Sequence, residues 1–260
     1  MSSYRFCRTD DIGLLVDALN RCWAPYFPDE PPMTAAAFKR SIRDLQVWCS
    51  SCMVAFAGAD PIGVLIGAKR PSATLVHRIA VHPDHRRQGH GRHLLASLGS
   101  KLAILGPPRI VVEVPAACEA ACGLFEVSGY AQEAVLTDYV WHPGGTDVPE
   151  APGGLVIPVT LDDLTANGLL GEPDSPTCWE RGAETLTARK EDIAGLAVAS
   201  DERLEAGILY IGRGSGPEAE MVWLRSFVED GGARLGWLMA HLSGGLSKSK
   251  TALQVWECRH

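Results

Sequence analysis

The sequence predicts an α/β (α+β) protein: a mixed sheet with helices on both faces, followed by a second, smaller, related domain. Three observations lead there. Apolar runs joined by short turns come early in the first half, and strand and helix patterns alternate later in it. A stretch rich in Pro and Gly, HPGGTDVPEAPGG (142–154), divides the chain. The second half then repeats the opening, because RFCRTDDIGLL and LVIPVTLDDLTANGLL each give an apolar run, a Thr, two adjacent Asp and an apolar helix start.

Taken in order, Tyr4–Arg8 reads as a strand. Asp10 or Asp11 then caps a helix to about Trp23, with Ile12, Leu15, Val16 and Leu19 at helical spacing. The loop APYFPDEPP (24–32) ends it, and Thr34 caps a second helix, Ala35–Leu45. Met53–Ala57 and Ile62–Ala68 form a hairpin around GADP. Strand Thr74–Val81 precedes a helix from Gly89 to about Leu105, which stops at GPP. Strand Ile110–Val114, a short helix Glu119–Ser128 and a last strand Ala134–Trp141 complete the first half. The expected division is 1–143, a linker 144–154, and a truncated copy 155–260 in which RSFVED (225–230) parallels RIAVHPD (78–84) and GWLMAHL parallels GRHLLASL.

Charge and composition narrow the function. With 260 residues, 46% of them apolar, the chain has ample core material, and no unbroken apolar run is long enough to predict a membrane span. A net charge of −7 argues against nucleic acid as a partner. That charge is uneven: residues 1–145 carry +1 and residues 146–260 carry −8. The N-terminus lacks a signal-peptide pattern, so the eight cysteines read as reduced thiols of a cytoplasmic protein. Cys49 and Cys52 have CxxC spacing without a second pair, and Cys118 with Cys122 lacks further ligands, so both pairs read as ordinary thiols. His90 and His93 stand three apart with no carboxylate or Cys in register, and no metal is expected.

The stretch Arg86 to Arg92 packs three arginines, a histidine and two glycines into seven residues where a helix must begin. A helix N-terminus offers unpaired N–H groups and about half a positive charge, and glycine lets backbone come close to a ligand. Arg86 and Arg87 add forked donors suited to phosphate oxygens. The pattern points to a diphosphate seated on the helix start.

Arg86-x-x-Gly89-x-Gly91, after IAVHP and before RHLLASL, resembles motif A of the GCN5-related N-acetyltransferase (GNAT) superfamily. RIVVEV and EAACGLFEVSGY, with Phe125 and Gly129-Tyr130, are similar to the family's next motif, and the internal repeat makes the chain resemble a tandem member. The resemblance implies the acyl-CoA N-acyltransferase fold, with a mixed, mostly antiparallel central sheet, and acetyl-CoA as cosubstrate without a metal. It implies that Ile79, Ala80 and Val81 pair with the pantetheine arm. The segment Arg86, Arg87, Gln88, Gly89, His90, Gly91, Arg92 would hold the diphosphate, and Cys118 and Phe125 would lie along the cofactor. The thioester would sit where Thr74–Val81 splays from Ile110–Val114, an amine would attack it directly in a ternary complex, and an N–H near Val81 would stabilise the oxyanion.

A base must first deprotonate an amine whose pKa is near ~10.4. His77, two residues before Ile79, is the first candidate, with a titration near ~6.5 suited to the task, and Glu113 is the second. Phe125 and Cys118 stand where the family often has a tyrosine acid and an asparagine, so a non-catalytic acyl-CoA sensor or scaffold is the alternative. Tyr139 and Tyr26 are substitute acids. The acceptor is a small-molecule or peptide amine, with Tyr26, Asp29 and Glu30 as its expected wall. The second domain would enclose the acceptor or mediate a homodimer.

Overall fold

A computed structural model describes residues 2–137, 139–141, 153–170, 177–212, 219–246 and 253–255. The chain divides into two compact units, Met1–Glu133 and Ala134–Arg259. Most of the stretch 142–154 lies outside the described residues.

The first unit is a five-stranded sheet in chain order: β1 (Ser2–Phe6), β2 (Met53–Ala57), β3 (Asp60–Lys69), β4 (Ala73–Val81) and β5 (Arg109–Val112). All neighbours are antiparallel except β4 and β5, which run parallel because helix α3 (His90–Leu105) crosses between them. Alternation sorts the sheet's residues onto two faces. Met53, Ala55, Leu65 and Val76 pack with Leu94, Leu95, Leu98 and Leu102 of α3, and with Phe125 of α4 (Glu119–Glu126). On the other face α1 (Ile12–Cys22) lies against β3 and presents Leu15, Ala18, Leu19 and Cys22, all buried at helical spacing. Helix α2 (Ala35–Asp44) buries Phe38 and is capped by Thr34 Oγ1, which accepts from the Ala37 N–H at 3.1 Å. Asp11 stands at the start of α1 without capping it, because its carboxylate accepts from the Arg8 N–H and pairs with Arg5.

The second unit repeats the order. Strand β7 (Leu155–Val159) leads into α5 (Leu161–Ala166), where Thr160 and Asp163 form a reciprocal capping box. After α6 (Ala183–Ala188) come β8 (Ala194–Ala199), β9 (Leu204–Gly212), β10 (Ala219–Ser226), α7 (Ala233–Leu246) and β11 (Leu253–Val255). Strand β11 is parallel to β10, as β5 is to β4. The expected last strand of the first sheet is corrected here. Among the described residues of that stretch only Tyr139–Trp141 is a strand, and as β6 it pairs antiparallel with β11 in the second sheet, order β6-β11-β10-β9-β8-β7.

The pair β3–β4 in the first unit and the pair β9–β10 in the second each carry a bulge at the same place. In the first, Ile66 pairs with Arg78 and Gly67 with Val76, so His77 is the extra residue of a β-bulge. In the second, Tyr210 pairs with Met221 and Leu209 with Trp223, so Val222 is the extra residue. Matching the bulges aligns Arg225 with Ala80. The sequence pairing of Arg225 with Arg78 was two residues out of step.

Candidate functional site

The bulge at His77 decides where the site opens. Strands β4 and β5 pair only from Ala73↔Arg109 to Val76↔Val112, so β4 parts from β5 at the bulged residue and runs on to Val81 without a strand partner on that side. A cavity of about 1020 Å³ fills the gap and reaches the start of α3. His77, Ile79, Ala80, Val81, Glu113, Cys118 and Phe125 line it, as do Arg86, Arg87, Gly89, His90, Gly91 and Arg92. Gln88 does not.

At the far end the loop 82–89 turns through two left-handed residues, Arg87 (φ 61°) and Gly89 (φ 86°). For an arginine that backbone costs about 1–2 kcal/mol, the kind of strain that persists where the surroundings impose it. Gly89 takes the N-cap position of α3 and supplies no capping side chain, so the first amides of the helix are left for a ligand. A Cβ at Gly89 would meet nothing within 4 Å, so the left-handed backbone is what selects glycine there. Gly91 differs: a Cβ would stand 3.0 Å from Leu124 Cδ2, so this glycine also lets α3 and α4 come together. Open space, free amides and three arginines fit the diphosphate of an acyl-CoA.

His90 turns inward rather than to the ligand. It is 5% exposed, and its Nδ1 shares a 2.6 Å hydrogen bond with the Tyr4 hydroxyl. Burial, then His85 and His93, push its pKa down, and its buried Nε2 has no partner among the described residues.

The catalytic candidates are placed as follows. Burial, seconded by the charge of Arg78, pushes His77 down to about 4, so the ring is neutral at pH 7 and not poised near its ordinary value. Glu113 lies just past the last paired residue of β5 and lines the same cavity. Phe125 is buried, with its ring edge-on to Tyr130. Half-buried Cys118 holds the N-cap position of α4. Cys49 and Cys52 are buried thiols whose pKa burial raises. Tyr139 is on β6 in the sheet of the second unit, and its side chain lies outside the described residues.

The expected acceptor wall is only partly present. Tyr26 lines the cavity, but its hydroxyl donates to the Val81 carbonyl at 2.6 Å, and Arg86 lies over its ring at 5.6 Å. Asp29 and Glu30 do not line the cavity. The Glu30 carboxylate accepts from Trp23 Nε1 at 3.1 Å and from Arg78 Nη1 at 3.3 Å. The wall is made by Trp23, Phe27 and Arg78, which the sequence reading missed. The three aromatic residues Trp23, Tyr26 and Phe27 within five positions just past α1 were the available signal.

Residues 14–130 match the model of the Acetyltransferase (GNAT) family. The chain is also similar to a GCN5-related N-acetyltransferase from Sphaerobacter thermophilus, at 15% identity and a TM-score of 0.67, over 99% of this chain and 87% of that one. It is similar to a tandem GNAT protein from the clavulanic acid biosynthesis pathway, at 16% identity and a TM-score of 0.64, over 98% and 90%. A probable N-acyltransferase from Enterococcus faecalis V583 aligns at 12% identity and a TM-score of 0.66, over 98% and 65%. At these identities the shared feature is the fold.

Proposed function

We propose that residues 14–130, which match the acetyltransferase (GNAT) family model, are an N-acetyltransferase domain that moves an acetyl group from acetyl-CoA to a primary amine by direct attack in a ternary complex. One observation carries this reading: the anion cradle at α3 and the gap between β4 and β5 are two ends of a single cavity. Acetyl-CoA supplies an acyl group on a thiol whose pKa is near ~8.5, a tolerable leaving group at neutral pH.

The residues then divide the work. The amides at the start of α3, with Arg86, Arg87 and Arg92, hold the diphosphate. The edge of Ile79, Ala80 and Val81, which has no strand partner on the β5 side, takes the pantetheine arm as an added strand. The N–H groups of that edge, Val81 among them, face the carbonyl end and serve as oxyanion donors. Glu113 takes the amine's proton: it lines the same cavity, and its carboxylate draws the ammonium in and accepts its proton directly or through water. His77 stays neutral and orients the amine or that water, because its conjugate acid is too strong to form at pH 7. No general acid is needed to release a thiolate of this basicity, which removes the need for one at Phe125.

The test has two arms. Calorimetry should detect coenzyme A and acetyl-CoA binding to the purified chain, and thiol release should appear with a panel of amines. Glu113→Gln should lower kcat by about a hundredfold or more with an unchanged coenzyme affinity. Absence of binding heat overturns the reading, and full activity in Glu113→Gln overturns the role of Glu113.

A further inference from the structure

Resting on the transferase reading above, we infer that the acceptor is an amine carrying its own carboxylate and an aromatic or large apolar group, in the manner of a free aromatic amino acid, and not a polycation. Three residues carry the argument. Trp23 and Phe27 are stacked at 4.4 Å and 19°, and both face the cavity. Arg78 lies over the Trp23 ring with its guanidinium carbon 4.7 Å from the centroid. Glu30 fixes both by accepting from Trp23 Nε1 and from Arg78 Nη1, so the wall is built before any ligand arrives.

That arrangement leaves Arg78 with spare capacity. Only Nη1 has a carboxylate partner, while Nε and Nη2 have none among the described residues, and its side chain is 24% exposed. A planar fork with open donors, at the cavity wall, recognises a carboxylate. Arg78 follows the bulged His77 directly, so the carboxylate would be held close to where the amine must attack. The stacked rings beside it offer a flat apolar face to the rest of the acceptor. A polycation finds the reverse: four arginines line the cavity against the glutamates Glu113 and Glu119, and Glu30 is already engaged.

The experiment compares acceptors and then breaks the wall. With acetyl-CoA, kcat/KM for L-phenylalanine should exceed that for phenethylamine, which lacks only the carboxylate, by about tenfold or more, and spermidine and kanamycin should be poor. Arg78→Gln should erase the preference for the carboxylate while calorimetry shows coenzyme A binding as before. Trp23→Leu, which spares Arg78, should instead raise KM for phenylalanine and keep the carboxylate preference. A second readout is L-phenylalanine binding to the coenzyme A-loaded protein by calorimetry, lost in Arg78→Gln. Turnover of spermidine or kanamycin above phenylalanine, or an unchanged preference in Arg78→Gln, overturns the inference while the transferase reading stands. Failure of coenzyme A to bind overturns both.

Discussion

The starts of α3 and α7 are two versions of one structure put to opposite uses. Both follow a bulged strand and a left-handed loop, and both point helix amides at the same kind of place. At α7 the place is filled from within. The Asp230 carboxylate accepts from the Gly232 N–H and the Arg234 N–H, each at 2.9 Å, and pairs with Arg234 Nη1 at 3.1 Å. Arg234 Nε in turn reaches Glu205 at 2.5 Å. At α3 no side chain caps the helix, and the cations Arg86, Arg87 and Arg92 point to the cavity. The connecting loop has eight residues at α3 (82–89) and six at α7 (227–232). A helix start satisfied by its own carboxylate is a structural cap, and one left open keeps its amides available to an anion.

The largest effect should come from giving the first helix what the second has. Gly89→Glu places a side-chain carboxylate at the open cap and forces a non-glycine residue to φ near +86°. Coenzyme A affinity, read by calorimetry, should fall by about a hundredfold or more, since an anion then meets an anion. Strain of about 1 kcal/mol should leave a cooperative unfolding transition. Retained affinity would show that the two helix starts do not differ in the way described.

A second contrast lies at the bulges, His77 against Val222. His77→Gln should reduce kcat by about tenfold, less than Glu113→Gln, since it only orients. Its pH signature is separate. The folded pKa is about 4 against an ordinary value of 6.5, so between these values the unfolded chain binds a proton that the folded chain does not. Stability owed to this ring is therefore full above about pH 6.5 and declines as the pH falls towards 4. Thermal melts of the wild type should lose Tm over that window, and His77→Gln should lose less. Equal losses would show that the ring is solvated.

Breaking the internal cap should matter less. Asp230→Asn weakens the bonds to Gly232 and Arg234 and should lower Tm by a few degrees at neutral pH. The carboxyl is held below its ordinary value, first by the Arg234 N–H. Its contribution is therefore present at neutral pH and lost as the pH falls through the depressed value, so the variant should converge on the wild type in acid. Coenzyme A should bind once per chain in both.

What the sequence made legible was local. Arg86-x-x-Gly89-x-Gly91 announced the glycine-capped helix start because a left-handed cap, a helix start and a cluster of cations are all written within seven residues. The hairpin Met53–Ala57 with its partner, the Thr34 cap and the repeat of strand and capped helix after the divide were visible for the same reason. What stayed hidden depends on partners far along the chain. His77 becomes a bulge only through the register of β3, Glu30 pairs with Arg78, 48 residues later, and Tyr139 joins a strand more than a hundred residues away. The pKa of His77 likewise follows from burial that no neighbouring residue announces.

The smallest effect separates the two glycines of the cradle. Gly91 lies in the first turn of α3, where alanine is the better helix former by up to about 1 kcal/mol. Against this, the new Cβ would stand 3.0 Å and 3.4 Å from the two methyl groups of Leu124, which a flexible side-chain end relieves by a small shift. The terms nearly cancel, so Gly91→Ala should change Tm little and coenzyme A affinity by less than about threefold. Gly89→Ala has no such relief, because its difficulty is the backbone angle and no neighbour can move to cure it. A large affinity loss in Gly91→Ala would mean that the ligand, and not Leu124, sets the limit at that position, and the open helix start would then be narrower than its amides alone imply.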